Sequence, residues 1–586
     1  MKKRLIALLL LTALILTLCA CGKGEDQPKA EEQPEAEFPV AFCLGAQPES
    51  LDPMRYGVGD DATFLVNLFS GLVAYRPDEN GAVRLTADLC AELPTPTEDE
   101  SGRPVYVFRL RDGLKWSDGS PLTAEDFVYS WSRAAFSADA PERELFSCIA
   151  GFDAGALEVA ASEDGTSLTV TLDKPTPRFL ERLANPVFCP VQAASASAEG
   201  WDRSPETCVT SGAYTLEAFS EEGMTLARNP NYWDDASTTL DSLDFAFSEK
   251  PGEILAGYEE GRYRVAAGLP AGVAEQYADS DALHVTGRMG NYCLCFNMND
   301  PALADFTEQE RADIRTALSL LIDRNEICQT IAKQGQLPAA SVVPAGMTDA
   351  DGTDFAAHNG PEGKGGGYFS TEADAYQANC DRAVKLLRGV AASSGKFSVS
   401  MDGVCKDFPT LTYLTSDSVG HVEIANAITA SFRAYGIEMR TSALELGAFL
   451  DARARGDYSM ARFSYTAAYD DPAAFLTLWA TGAGSNCIGL GQDTHGAYAG
   501  YAVTLGGTQA KDLLWAESYD ALVYMMQSST DEAQRCRCMH EAETLLMQTG
   551  AICPIYAYTG VYLCRPSFTG LFTGPSAALY FMRASA

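Results

Sequence analysis

The 586-residue chain is poor in histidine and in positive charge, and it lacks the compact motifs that mark most enzymes. Its five histidines, His284, His358, His421, His495 and His540, are scattered, and His540-Glu541 lacks the second histidine of the H-E-x-x-H zinc helix. No G-x-S-x-G elbow is present to carry a hydrolase serine. Gly363-Lys364 comes nearest to a phosphate loop and fails twice: His358 stands where the loop needs glycine, and Gly365 where Ser or Thr would bind magnesium. The adjacent acids Asp234-Asp235 and Asp470-Asp471 do not establish a glycosidase pair, which needs two carboxylates facing one bond. With 43 Lys+Arg against 79 Asp+Glu the net charge is −36, which excludes a binder of nucleic-acid backbone. These absences argue against an enzyme, a metal site and a cofactor.

What is present is an ordinary globular composition, 46 % hydrophobic and 21 % charged, enough for large cores. At roughly 100–200 residues per domain, three or four folding units are expected. Lys2, Lys3 and Arg4 precede an apolar run from Leu5 to Leu18, shorter than the ~20 residues that span a bilayer, so residues 1–20 read as a signal peptide. Leu18-Cys19-Ala20-Cys21 resembles the lipobox of bacterial lipoproteins, which makes Cys21 the expected lipid attachment point. Residues 21–38, rich in Glu, Pro, Lys and Gln, read as a solvated tether. Of 17 cysteines, Cys293/Cys295 and Cys536/Cys538 form close pairs, but neither pair has zinc-like spacing to a second pair or a histidine. Most are expected to be reduced core residues.

Local patterns mix strands and helices without a fixed repeat. Alternation in Tyr106-Val107-Phe108-Arg109-Leu110 predicts a half-buried strand. Thr123 with Asp126 predicts a capped helix start. Ile424, Ile428 and Phe432 mark one helical face that Gly436 ends, and Ser529 with Glu532 predicts a helix closed by Gly550. The Gly- and Asp-rich stretch 346–367 reads as a long surface loop.

Several blocks resemble the extracytoplasmic solute-binding protein family 5, the oligopeptide- and dipeptide-binding lipoproteins of ABC importers. They include Gln47-Pro48-Glu49-Ser50-Leu51-Asp52-Pro53, the run from Lys115-Trp116-Ser117-Asp118-Gly119 to Trp131, Asn229-Pro230-Asn231-Tyr232-Trp233, Ile322-Asp323-Arg324, and Pro554-Ile555-Tyr556-Ala557-Tyr558. The resemblance implies a two-lobed α/β fold of the periplasmic-binding-protein type, closing by a hinge, with an extra inserted domain. By motif order, lobe I comprises 39–59, 190–288 and 555–586, the insert 60–189, and lobe II 289–554. It implies a protein that is not an enzyme and uses no cofactor, held by its lipid on the outer face of the bacterial cytoplasmic membrane. Its implied partners are a peptide or peptide-like ligand and the transmembrane permease subunits of the importer. Alternative uses of the same fold are a surface ligand sensor or adhesin, or the binding of a non-peptide solute.

The resemblance also nominates site residues. Members that bind free peptide N-termini carry an acid immediately before the tyrosine of an A-D-Y-x-[DE]-P segment, and that acid pairs with the ligand ammonium. Here the segment is Ala467-Ala468-Tyr469-Asp470-Asp471-Pro472, so Ala468 replaces the acid, and Asp470 is the nearest candidate substitute. Cys295 falls where some members carry another acid. Tyr129, Tyr292, Arg453, Arg462, Ser464, Tyr465 and Thr466 match cleft positions, with Arg462 suited to fork a ligand carboxylate.

Overall fold

Helix Ala124–Ala135 begins where the sequence places it: Thr123 and Asp126 form a capping box, with the Thr123 N–H donating to Asp126 Oδ2 at 2.8 Å. Its Phe127 and Trp131 enter a core with Phe108, Trp116, Phe146 and Phe188, over a four-stranded antiparallel sheet that includes Pro104–Arg109. The Trp131 indole N–H, which needs a partner when buried, donates to the Phe188 carbonyl at 2.8 Å. This unit falls within 60–189, the stretch that the motif order gives to the insert. The computed structural model describes residues 41–57, 62–360, 365–489 and 515–585, together with the backbone of the hairpin Val503–Leu505 and Thr508–Ala510. The signal-peptide, tether and Cys21 assignments lie outside the described residues, as do Lys364 and His495. Among the described residues no helix is long and apolar enough to cross a membrane.

The remainder is organised by an 11-stranded mixed sheet. In spatial order it runs Met439–Leu444, Leu411–Ser416, Met460–Thr466, Leu283–Phe296, Ile552–Cys564, Val265–Ala266, Ala41–Cys43, Ser242–Ala246, Gly223–Arg228 and Tyr214–Phe219, with Leu337–Pro338 pairing separately onto Ile552–Cys564. Leu283–Phe296 and Ile552–Cys564 are the two long strands, and they pair antiparallel through the middle of the sheet. Their side chains alternate between two faces, and both faces are covered. On the first strand Tyr292, Leu294 and Phe296 enter one second-lobe core, while Cys293 and Cys295 enter the other. On the second strand Tyr562 and Cys564 enter one first-lobe core and Leu563 the other. One strand pair thus feeds four cores, two per lobe, and the double coverage accounts for the apolar run Tyr292–Phe296.

The change from one lobe to the other coincides with a break in register. Gly287 pairs with Thr559 and Asn291 with Ala557, so residues 288–290 oppose Tyr558 alone. A bulge of this kind bends and twists the pair locally. Gly290 sits in it where strands press closest: a Cβ there would lie 2.7 Å from Thr466 Oγ1 and 3.0 Å from Tyr558 Cδ2. Ile555 and Tyr556 pack in the second-lobe core, although the motif order assigned lobe I from residue 555. Likewise Phe64, Leu65, Leu68 and Phe69, assigned to the insert, pack with Phe42 and Phe245 in the first lobe.

Two further expectations are corrected in detail. Helix Val419–Ala434 buries Ile424, Ile428 and Phe432 as predicted, each contributing about 1.5–3 kcal/mol. The helix Glu532–Gln548, however, is capped by Asp531, which accepts from the Gln534 N–H at 3.0 Å, and not by Ser529. The stretch 346–367 is not a free surface loop: Met347 and Phe355 are fully buried, because Phe355 stacks on His540 of that helix at 3.8 Å. All fifteen cysteines in the described residues are free thiols, thirteen of them buried.

The same region holds a buried acid. Glu543 has no solvent exposure and accepts the Val343 N–H at 2.7 Å, and burial pushes its carboxyl up to about 7. The fold therefore holds a proton that the unfolded chain releases near pH 4.5, so this contribution is complete below pH 4.5 and is lost as pH rises through 7. Urea unfolding from pH 4.5 to 8 is expected to show Glu543→Gln, which titrates nowhere in that range, losing about 3 kcal/mol less stability than the unsubstituted protein.

Candidate functional site

Strand Met460–Thr466 pairs antiparallel with Leu283–Phe296, placing Arg462 opposite Leu294, Ser464 opposite Tyr292 and Thr466 opposite Gly290. Ala461 and Phe463 point into one core, and Tyr465 packs edge-on against Phe475 on that side. Arg462, Ser464 and Thr466 share the opposite face and are half-buried. Arg462 is the charge of this face. Its guanidinium lies 5.6 Å from the Tyr292 ring centre and 5.9 Å from that of Phe449, and one Nη donates to Ser464 Oγ at a long 3.4 Å. Among the described residues it has no carboxylate partner, and its buried Nε has no acceptor.

The groups around Arg462 are equally uncommitted. Tyr292 stacks on Tyr556 at 4.9 Å and its hydroxyl faces that of Tyr413, the two interacting with each other but meeting no partner in good hydrogen-bond geometry. His421, 5.7 Å from Tyr292, has a buried Nδ1 without a partner. Desolvation, then the charge of Arg462, push its imidazole down to about 4, so it is neutral at pH 7 and carries one donor and one acceptor nitrogen. It sits in the first turn of Val419–Ala434, whose N-terminus lacks a side-chain cap and adds positive potential. Buried polar groups normally find partners, and three such groups gathered around Arg462, with its own Nε, make a cluster whose donors match an oxygen-rich anionic group such as a carboxylate. Sequence reading found Arg462 but not His421 or Tyr413, which come from a helix and a strand with no motif of their own. Tyr292 itself is a core residue with no exposure, so only its hydroxyl end is available to the recess.

The segment after Thr466 is held by the inserted domain. Ala467 extends the ladder with its N–H to the Met289 carbonyl at 2.6 Å. The Ala468 carbonyl accepts from Asn185 Nδ2 at 3.1 Å, the Tyr469 hydroxyl from Arg182 at 2.8 Å, and the Asp470 carbonyl from Arg178 at 2.8 Å. Arg178 is buried and adopts φ +52°, a left-handed conformation unusual outside glycine. Its remaining N–H groups donate to Glu532 Oε1 at 2.7 and 2.9 Å and to the Thr348 carbonyl at 2.7 Å. Three side chains from one short stretch of the insert thus fasten it to the second lobe.

Both acids of the segment are already engaged. The Asp470 carboxylate accepts the Thr348 N–H at 2.8 Å and the Thr348 hydroxyl, and lies 3.5 Å from Arg178. Asp471 is forked by one Nη of Arg535 at 2.6 and 2.7 Å, with both side chains buried. Asp470 lines a cleft of about 630 Å³ with Tyr75, Arg178, Thr348 and Thr573, but its charge is matched there, so it is not a free substitute for the acid missing at Ala468. Cys295 offers none either: it is fully buried, 3.6 Å from Cys487 Sγ.

Two other nominated residues brace the structure. Tyr129 packs on the first-lobe core, one turn before Arg133, whose guanidinium forks Asp52. Arg453 lies over the rings of Phe463 and Phe449 and donates to the Arg462 carbonyl at 3.3 Å, behind the polar face. Replacing Arg535 with Met strands a buried carboxylate and is expected to cost about 3–5 kcal/mol in urea unfolding, most of it recovered when Asp471→Leu is added.

Comparison with known proteins agrees with this architecture. The sequence model of the bacterial extracellular solute-binding proteins, family 5, matches residues 89–487, more than half of the chain. The dipeptide-binding protein DppE of Bacillus subtilis is 26 % identical over 529 residues, covering 86 % of each chain. The periplasmic oligopeptide-binding protein OppA of Escherichia coli is 28 % identical over 548 residues, covering 90 % of this chain and 89 % of its own. Among solved structures, the unliganded open form of the periplasmic murein tripeptide binding protein MppA superposes with a TM-score of 0.71 at 24 % identity, covering 94 % of this chain and 97 % of its own. With its two lobes, its insert and the family pattern running from the insert through the second lobe, this chain belongs to the bacterial extracellular solute-binding proteins of family 5.

Proposed function

We propose that this protein is the substrate-binding lipoprotein of an ABC importer, anchored through Cys21, that captures a peptide or peptide-like solute carrying an anionic group and delivers it to a membrane permease. The observation that carries the reading is the recess at Arg462: an unpaired guanidinium with the Tyr292 and Tyr413 hydroxyls and His421 around it. A ligand carboxylate there gives Arg462 the anionic partner that its long bond to Ser464 does not supply. The names of DppE and OppA, peptide-binding proteins, supply the solute class. The strand edge beyond Ala461, where pairing with Leu411–Ser416 ends, and the half-buried side chains of Ser464 and Thr466 suit an extended chain laid beside the strand, the mode in which peptides add to a sheet.

The other end of the ligand differs from the family's free-peptide pattern. With Ala468 in place of the acid and Asp470 bound to Arg178 and Thr348, a ligand ammonium buried there meets no free carboxylate from this segment. An uncompensated buried ion costs several kcal/mol, so the preferred ligand is a peptide with a blocked or cyclised amino end, or a peptide-like acid. Lobe closure over the ligand follows the bulge at 288–290, where the long strands change cores.

Thermal shift of the mature protein against matched peptides tests both ends. N-acetylated peptides with a free carboxylate are expected to stabilise it, by about 2.7 kcal/mol at one hundred times Kd, and their C-terminal amides to do so far less. Arg462→Gln removes the carboxylate preference, and Ala468→Asp shifts preference toward free amino termini. Equal binding of acids and amides, or an Arg462→Gln variant that binds as before, overturns the reading.

A further inference from the structure

Two of the five histidines meet at one carboxylate away from the Arg462 recess. His358 closes the short helix Phe355–His358, and His540 lies in the middle of Glu532–Gln548. His358 Nδ1 is 2.8 Å and His540 Nε2 is 2.9 Å from the same oxygen, Oδ2 of buried Asp349. The three donor atoms all lie within 4.8 Å of one another.

The cluster is held from several sides. Asp349 Oδ1 accepts its neighbour's N–H, Ala350, at 2.6 Å, which turns Oδ2 toward the two imidazoles. The Asp349 N–H donates to the Thr353 carbonyl at 2.8 Å and the Phe355 N–H to the Met347 carbonyl at 2.7 Å, closing the loop on itself. The Phe355 ring stacks on His540 at 3.8 Å with the planes 6° apart, fixing the imidazole rotamer. Such outer contacts orient donors in metal sites.

We propose that Asp349, His358 and His540 bind a divalent late first-row transition ion, zinc being the closest match. Two imidazoles and a carboxylate are a borderline donor set that suits zinc, whereas calcium and magnesium take oxygen ligands. At zinc–ligand bonds of about 2.0–2.2 Å, neighbouring donors of a tetrahedron stand roughly 3.4 Å apart, so the pairs now at 2.8–2.9 Å need to open by only about half an ångström. The fourth position falls to water or to Cys536, which stands one helical turn before His540 on the same face and whose thiol interacts with Asp349. Spacing rules do not find this group, because Asp349, His358 and His540 come from separate elements; the one local cue is Cys536, four residues before His540 on the same helix.

The ion ties the 346–360 stretch to helix Glu532–Gln548. That stretch supplies Thr348, which holds both Asp470 and Arg178, and Thr348, Asp349 and Glu532 share the wall of the 630 Å³ cleft. Metal occupancy therefore sets how firmly this wall is built.

The test uses the full mature chain, kept reduced, stripped with chelator and titrated with zinc chloride and with cobalt chloride. One equivalent of zinc is expected to bind with a rise in melting temperature, at least 100-fold more weakly in His358→Ala and in His540→Ala, and unchanged in His284→Ala. His358 is half-exposed, so its variant folds even if His540→Ala does not. Bound cobalt is expected to show the intense visible bands of a four-coordinate site. A near-ultraviolet sulfur charge-transfer band lost in Cys536→Ser assigns the fourth ligand to the thiol, and its absence assigns it to water. Binding that survives both histidine substitutions, or no uptake by the unsubstituted chain, overturns the proposal.

Discussion

Every part of this molecule is referred to one pair of antiparallel strands, Leu283–Phe296 and Ile552–Cys564. Ile552–Cys564 is buried at both ends and Leu283–Phe296 from Met289 onward, so the residues there are fixed by the side chains above and below them and by the ladder on either side. A shift of one residue in this pair would move Tyr292 and Cys293 into each other's cores and disorder four packed layers at once. The register is therefore strongly specified; it is interrupted at residues 288–290 and again between Tyr292 and Cys293, and the first of these breaks falls where the pair passes from the cores of one lobe to those of the other.

The polar recess follows from that arrangement. Because Tyr292 must fill the core beside Tyr413 and Tyr556, its hydroxyl is carried into the interior with it, and Arg462, two residues along the neighbouring strand's register, brings a charge to the same depth. Burying these groups without partners costs stability, and the second lobe bears that cost through its large apolar cores. Beyond the end of the same strand the balance is reversed: Asp470, Asp471 and Glu532 are all engaged by Arg178 and Arg535. The face is thus unfinished at one end and complete at the other, which gives the cleft a direction.

Much of the fold was legible from residues alone. Thr123 with Asp126 marked a helix start, and Ile424, Ile428 and Phe432 a buried face, because capping and periodicity are local. Family motifs carried the two-lobed fold. The failures share a cause, which is contact between distant segments. Ser529 lost the cap to Asp531, two residues on; the 346–367 stretch looked solvated because its composition hides Phe355, whose partner His540 is far along the chain. Asp470 was nominated as a substitute acid, and the approach of Thr348 and Arg178, both distant in sequence, engages its carboxylate. His421 and Tyr413 carry no motif, so nothing short of the folded sheet reveals them.

The thiols have a consequence for how this protein is handled in time. Folded, thirteen of the fifteen described cysteines are walled off, and a buried thiol is a poor nucleophile. Unfolded in the presence of an oxidant, the same chain exposes all of them together, and random pairing is faster to form than to correct. Unfolding in air is then a one-way step, and persistence outside the cell is governed by the height of the unfolding barrier more than by the depth of the native well.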